Sequence, residues 1–103
     1  MAEARRVVWS EPALSDLDAA FTYFLEQSPS YALRFLEAVE RTADSLDRLS
    51  ERGRVVPEVA SPSIRELIVE KHRLVYEVSL GEVHVLRLIH GRQDFKSSWK
   101  SRP

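Results

Sequence analysis

At 103 residues, with 44% hydrophobic and 30% charged side chains, the chain has room for one globular core and no second domain. No stretch approaches the roughly 20 apolar residues needed to span a bilayer, and MAEARRVVWSEP has charges and a proline where a secretion signal needs an apolar run, so a cytoplasmic protein is expected. The absence of cysteine excludes disulfide scaffolds, thiol catalysis and thiolate zinc sites, and a net charge of -1 provides no global basic field for nucleic acid. The distribution is less even. Residues 1–50 hold five basic and nine acidic side chains, and residues 51–103 hold ten and seven, a modest asymmetry that permits contact with an anionic partner.

Residues 5–9, RRVVW, read as a short strand, and Ser10-Glu11-Pro12 is a helix start with Ser10 as N-cap. Ala13, Leu14, Leu17, Ala20, Phe21, Phe24 and Leu25 then recur at the spacing of one helix face. Ser28-Pro29 ends that helix and begins another, since proline at the first helical position gives up an amide that would have no partner there. Ala32, Phe35, Leu36, Val39, Ala43, Leu46 and Leu49 carry the second stripe toward Arg52-Gly53, where a left-handed glycine closes the helix. So short a break between amphipathic helices implies an antiparallel hairpin. Residues 55–62 read as an irregular connector.

Residues 64–95 form the block on which the hairpin is expected to pack, a meander of three strands. The first break falls at Glu70-Lys71 and the second around Gly81, which can take a positive φ. The third run, 83–90, has apolar residues on both of its alternating sets, Val83, Val85, Arg87, Ile89 and His84, Leu86, Leu88, His90, which argues for an interior strand. The expected fold is α+β: a two-helix antiparallel hairpin on a small antiparallel sheet, in the order β-α-α-β-β-β, one domain over 1–103 with 96–103 as a flexible tail.

Chemistry-bearing residues cluster late. His90, Arg92 and Asp94 alternate and would share one side of a sheet edge if the last strand runs that far, or they simply meet neighbours and water. His84 and His90 are too far apart on one extended strand to ligate an ion unaided, and no metal or other cofactor is expected. Arg73 and Tyr76 point to opposite faces, and an inward Tyr76 needs a partner for its hydroxyl. Arg65 and Glu66 also point to opposite faces. There is no Gly-rich phosphate loop, nucleophile elbow or Ser-His-Asp order.

The strings WSEPALSDL at 9–17, ALRFL at 32–36, GRVVPE at 53–58, IREL at 64–67, HRLVY at 72–76 and VLRLIHGR at 85–92 together resemble the ParE/RelE superfamily of bacterial toxins, with GRVVPE followed by IREL closest to the ParE branch. The resemblance covers nearly the whole chain and rests on the order and spacing of these strings. It implies the toxin of a type II toxin-antitoxin module, an α-hairpin on an antiparallel sheet, silenced by a cognate ParD-like antitoxin in a hetero-oligomer. ParE-like members inhibit DNA gyrase. RelE-like members cut messenger RNA on the ribosome without a metal, which requires groups that activate a ribose hydroxyl, stabilise charge at phosphorus and protonate the leaving oxygen.

Under the nuclease reading the catalytic candidates are Arg73, His90 and Arg92, with Arg65 weaker. Ser61-Pro62-Ser63 offers no lysine where RelE-like nucleases place basic residues, and the tail has no tyrosine. The resemblance therefore favours a gyrase inhibitor over an enzyme, with the ribosome-dependent endoribonuclease and an inactive, antitoxin-binding toxin as alternatives. Arg92, Asp94, Phe95, Lys96 and Trp99 are the expected target-binding surface, combining cations with aromatic anchors. Phe21, Phe24, Leu25, Phe35 and Leu36 are the expected antitoxin-binding residues, because two helices covering one sheet do not need that many large apolar groups. Neither membrane association nor sequence-specific nucleic-acid binding is expected.

Overall fold

The computed structural model describes residues 4–100. Strand β1 (Arg6–Trp9) leads through Ser10 into α1 (Glu11–Gln27), and Ser28 alone separates α1 from α2 (Pro29–Asp44). Both serines cap as the sequence implies. Ser10 Oγ accepts from the Ala13 amide at 3.2 Å, and Ser28 Oγ accepts from the Tyr31 amide at 3.3 Å while its own N–H donates to the Phe24 carbonyl at 2.8 Å. One residue therefore ends one helix and starts the next, which forces the hairpin. Strands β2 (Arg54–Val55), β3 (Ile64–Val69), β4 (His72–Ser79) and β5 (Glu82–His90) and a short helix α3 (Phe95–Lys100) complete the chain. No helix among the described residues is long and apolar enough to cross a membrane.

The sheet order is β1-β5-β4-β3-β2. Strands β2 to β5 pair antiparallel, whereas β1 joins β5 in parallel, so the sheet is mixed. The turn between β3 and β4 places Glu70 and Lys71 at φ 47 and 65, and the turn between β4 and β5 places Gly81 at φ 80. The first hairpin thus has positive φ at both central turn residues, the geometry that matches strand twist, and does so without a glycine, whereas in the second the positive φ falls on Gly81, the second central residue.

The main core lies between hairpin and sheet, where Phe35, Val39, Ala43 and Leu46 meet Leu74, Tyr76, Val83, Val85 and Leu88. A smaller second core on the other face joins Val56, Val75, Ile89 and Phe95, with Trp99 packed against it. This second core is why residues 95–100 are helical where a frayed tail is expected: Phe95 is buried and stacks on Trp99, ring centroids 5.6 Å apart. Positions 101–103 lie outside the described residues. A β-bulge in β5 explains why both faces of that strand look apolar. Val75 pairs with Arg87 but Tyr76 pairs with Val85, leaving Leu86 as the extra residue. Val83 and Val85 therefore share the helix side with Leu88 and His90, while Arg87 and Ile89 turn to the other side with His84.

The α2 stripe ends earlier than its sequence suggests. The helix stops at Asp44, a 3-10 turn covers Ser45–Asp47, and Leu49 is exposed. Gly53 does not close a helix in a left-handed conformation, since Gly81 is the glycine at positive φ among the described residues. It is small for another reason: a Cβ there would run into the Tyr76 hydroxyl and the Glu66 carbonyl. The Gly53 amide donates to the Tyr76 hydroxyl at 3.0 Å, the partner that a buried tyrosine needs. Gly53→Ala should accordingly lower stability by about 1–3 kcal/mol through overpacking. Lys71→Gly should raise it by about 1 kcal/mol by relieving a left-handed side chain; urea denaturation reads both.

Candidate functional site

On the sheet face away from the hairpin, strand alternation brings charged groups into a hydrophobic surround. Glu66 has a fully buried side chain, and its carboxylate lies between Arg54 Nε and Arg73 Nε, each at 2.5 Å. Arg73 Nη1 and Nη2 donate to the two oxygens of Glu58 at 2.9 and 2.7 Å, and its guanidinium lies over the Phe95 ring at 4.2 Å from the centroid. The Arg73 fork is thereby occupied by protein carboxylates and an aromatic face. Its hydrogen bond holds the Glu58 carboxyl at about 2, down from the usual 4.5, and the same contact keeps Arg73 charged.

His90 lies on the opposite side. It pairs across the ladder with His72, ring centroids 4.9 Å apart, and both line a cleft of about 500 Å³ beside Tyr23 and Phe24 of α1. His72 is buried against Phe35. Burial pushes its pKa below the ordinary histidine range, a hydrogen bond to the Glu70 carbonyl opposes that, and the neighbouring His90 lowers it further. Strand β5 stops at His90, so Arg92 and Asp94 fall in the following turn and do not continue an edge array. The Arg92 amide donates to His90 Nδ1 at 3.0 Å, but its side chain is exposed. Arg65 faces the hairpin side, where Nη1 donates to the Gly53 carbonyl at 2.9 Å. The four nuclease candidates therefore do not converge: Arg73 is locked on one face, His90 and Arg65 are on the other, and Arg92 projects from a turn. Among the described residues no three His, Cys, Asp or Glu are placed to hold a metal ion.

The interface candidates divide by burial. Arg92, Asp94 and Lys96 are exposed and Trp99 is half-buried, but Phe95 is a core residue and not a surface anchor. On the hairpin, Phe35 is fully buried and belongs to the core, and Phe24 packs at its margin. Leu25 is exposed, and Phe21 and Leu36 line an outer groove of about 300 Å³ with Leu14 and Leu17. The wide apolar stripe of α1 thus splits, with Ala13, Leu17, Ala20 and Phe24 toward the core and Leu14, Phe21 and Leu25 outward.

Three ion pairs were not foreseen from sequence. Glu58 and Glu66 hold Arg73, and Asp16 of α1 holds Arg87, with Nε to Oδ2 at 2.7 Å and Nη2 to Oδ1 at 3.0 Å. A glutamate inside the apolar run of β3 was the available signal for Glu66, because buried carboxylates require cations. Nothing in the sequence links Asp16 to Arg87.

A family model described as the ParE toxin of the type II toxin-antitoxin system parDE matches residues 7–95. Toxin RelE2 of Caulobacter vibrioides is 38% identical over 86 residues, spanning 82% of this chain and 93% of that protein. A solved structure of a chromosomal ParDE toxin-antitoxin system from P. aeruginosa shares the fold with a TM-score of 0.71 at 22% identity, covering 84% of this chain and 96% of that one.

The Glu58–Arg73 contact has a pH signature. A carboxyl whose pKa is depressed in the folded state adds stability that is complete above about 4.5 and is lost as pH falls toward about 2. Urea midpoints of the native chain should therefore fall across that window, and those of Glu58→Gln should fall less steeply. Parallel curves would show that the pair contributes nothing to stability.

Proposed function

The chain belongs to the ParE toxin family of type II toxin-antitoxin systems, and we propose that it arrests growth in the cytoplasm by binding DNA gyrase and is neutralised by a ParD-like antitoxin. The observation that carries this reading is the dispersal of the candidate catalytic groups. Phosphodiester cleavage by side chains alone needs an acid, a base and a charge stabiliser within hydrogen-bond reach of one phosphate. Here Arg73 is saturated by Glu58 and Glu66 on the face opposite His90. A binding protein has no such requirement.

The antitoxin surface is the outer hairpin groove, where Leu14, Phe21 and Leu36 would receive one apolar face of an amphipathic helix. Exposed Leu25 and Leu33 extend it. Phe35 and Phe24 pack toward His72 and the core, not into this groove. The target surface is the turn and short helix after β5, with exposed Arg92, Asp94 and Lys96 and the half-buried Trp99 while Phe95 anchors the helix from beneath. The identity to a relative named Toxin RelE2 keeps the ribosome-dependent endoribonuclease as the second reading, with Arg73, His90, Arg92 and Arg65 as its residues.

The deciding experiment is a supercoiling and DNA-cleavage assay with purified gyrase, titrated with toxin released from antitoxin. Inhibition that antitoxin reverses, weakened in steps of several-fold by Arg92→Ala and Lys96→Ala, is the expected result. A folded, growth-inhibitory toxin without effect on gyrase that loses roughly a hundredfold or more of its toxicity on one substitution at Arg73 or His90 would instead identify the nuclease.

A further inference from the structure

At the end of the sheet where β5 begins, opposite the turn that carries Arg92, arginines gather without carboxylate partners. Arg5 just before β1, Arg48 just after the 3-10 turn and Arg52 in the loop before β2 line a pocket of about 320 Å³ with Leu49, Ser50 and Glu51. Elsewhere Arg6, Arg54, Arg73 and Arg87 each pair with an acidic side chain. Among the described residues none of the three pocket arginines does so. Arg5 is held by neutral acceptors, its Nε donating to the Ser79 carbonyl at 3.2 Å and its Nη1 to Ser50 Oγ at 2.9 Å. Such bonds fix a guanidinium in place without cancelling its charge. Asp47 meets Arg5 through its backbone carbonyl, which accepts from the Arg5 amide at 2.7 Å. Arg52 Nη2 donates to Ser45 Oγ at 2.6 Å, and the exposed Arg48 side chain bonds no described group.

Two further observations point to an anion. Ser50 is 2% exposed and its Oγ accepts from Arg5, yet its O–H proton has no acceptor among the described residues. A buried hydroxyl beside three cations therefore has a hydrogen bond left to give. The turn that carries it is closed by the Arg52 amide on the Leu49 carbonyl at 3.3 Å and tied down by Arg65, whose Nη1 donates to the Glu51 and Gly53 carbonyls at 3.3 and 2.9 Å. The pocket is thus formed before a ligand arrives.

Three guanidiniums against the one carboxylate of Glu51 leave an excess of two positive charges on the lining. A terminal phosphate carries about -1.5 to -2 charges at neutral pH and offers three strong acceptor oxygens, which match that excess and donors arriving from three segments. A carboxylate brings one charge and two oxygens and would leave part of the lining unanswered. We propose that this pocket is a site for a terminal phosphate group, with Arg5 and Ser50 as fixed donors and Arg48 and Arg52 closing on its outer oxygens. The group can belong to inorganic phosphate or to a nucleotide. The pocket shares no residue with the hairpin groove or with α3, so the inference does not depend on what the toxin targets.

The test titrates inorganic phosphate and adenosine monophosphate into the full-length chain at neutral pH and constant ionic strength, following the backbone amide resonances of Ser50 and Glu51 and the Arg5 Nε–H. Saturable shifts centred on these groups are expected. Arg48→Ala removes an exposed side chain that bonds nothing, so the fold is kept and binding should weaken about tenfold. Glu51→Gln, which removes the lining carboxylate, should tighten it several-fold. Tighter binding of the nucleotide than of inorganic phosphate assigns the group to a nucleotide; equal binding shows that the phosphate alone is recognised. The proposal is overturned if neither ligand gives saturable shifts, if Arg48→Ala binds as the native chain does, or if acetate binds as tightly as phosphate, which would indicate an acidic side chain of a protein partner.

Discussion

The fold depends on how the free edge of its longest strand is covered. Strand β5 has nine residues and its outer neighbour β1 has four, so the backbone beyond Val85 has no ladder partner on that side. Unpaired buried amides and carbonyls are costly, and α1 supplies substitutes. The Ser10 amide donates to the Val85 carbonyl at 2.9 Å, Ser10 Oγ donates to the Leu86 carbonyl at 3.0 Å, and the Leu88 amide donates to Asp16 Oδ2 at 2.9 Å. The same Asp16 pairs with Arg87, whose Nη1 also donates to the Ser98 carbonyl in α3. One arginine thereby joins the hairpin, the bulged strand and the C-terminal helix. Removing either partner of such a largely buried pair strands the other charge, a loss of about 3–5 kcal/mol, although an apolar pair of matching shape could be neutral.

The bulge that turns Arg87 toward this junction also keeps a cation out of the main core. Without it, Arg87 would continue the Val83–Val85 set into the main core, where no carboxylate is available. With it, the main core stays apolar, while strand alternation in β2 to β4 independently gives the outer face Arg54, Glu66 and Arg73, where Glu58 joins them. Glu66 is the anchor of that cluster, since a buried carboxylate between two guanidiniums fixes both. The cost is chemical reach. Groups assigned to opposite faces of a sheet cannot act on one phosphate, and the fork of Arg73 is already filled.

Local signals were legible in the sequence and long-range ones were not. Ser10, Ser28-Pro29 and Gly81 act through neighbours within four residues, so caps and turns could be read directly. The interior position of β5 followed from its apolar content on both faces. Its side assignment failed beyond Val85 because a bulge adds one residue to a period of two, and nothing local marks Leu86 as that residue. Phe35 and Phe21 are the same residue type on similar stripes, yet one is fully buried and the other lines a groove. Which is which depends on the roll of each helix on the sheet, a property of the whole packing. Phe95 looked like a surface anchor because the second core that receives it is assembled from Val56, Val75 and Ile89, none adjacent to it in sequence. Asp16 and Arg87 are separated by 71 positions.

The sidedness of the sheet constrains how an antitoxin could act under the proposed reading. The apolar groove lies on the outer surface of the hairpin, whereas α3 packs on the opposite face of the sheet through Phe95 and Trp99, with Arg92 in the turn before it. A helix seated in the groove alone would leave the target surface uncovered. Neutralisation then requires either an antitoxin segment that continues around the sheet edge or a displacement of α1 that reaches α3. The second route has a physical link already in place, because the carboxylate of Asp16 and the carbonyl of Ser98 share the Arg87 guanidinium. A small rotation of α1 would move the first of these partners and leave the arginine to choose between them. Differential contact of this kind is the minimum that coupling between two surfaces demands. Without it, the antitoxin must work by covering the target surface itself.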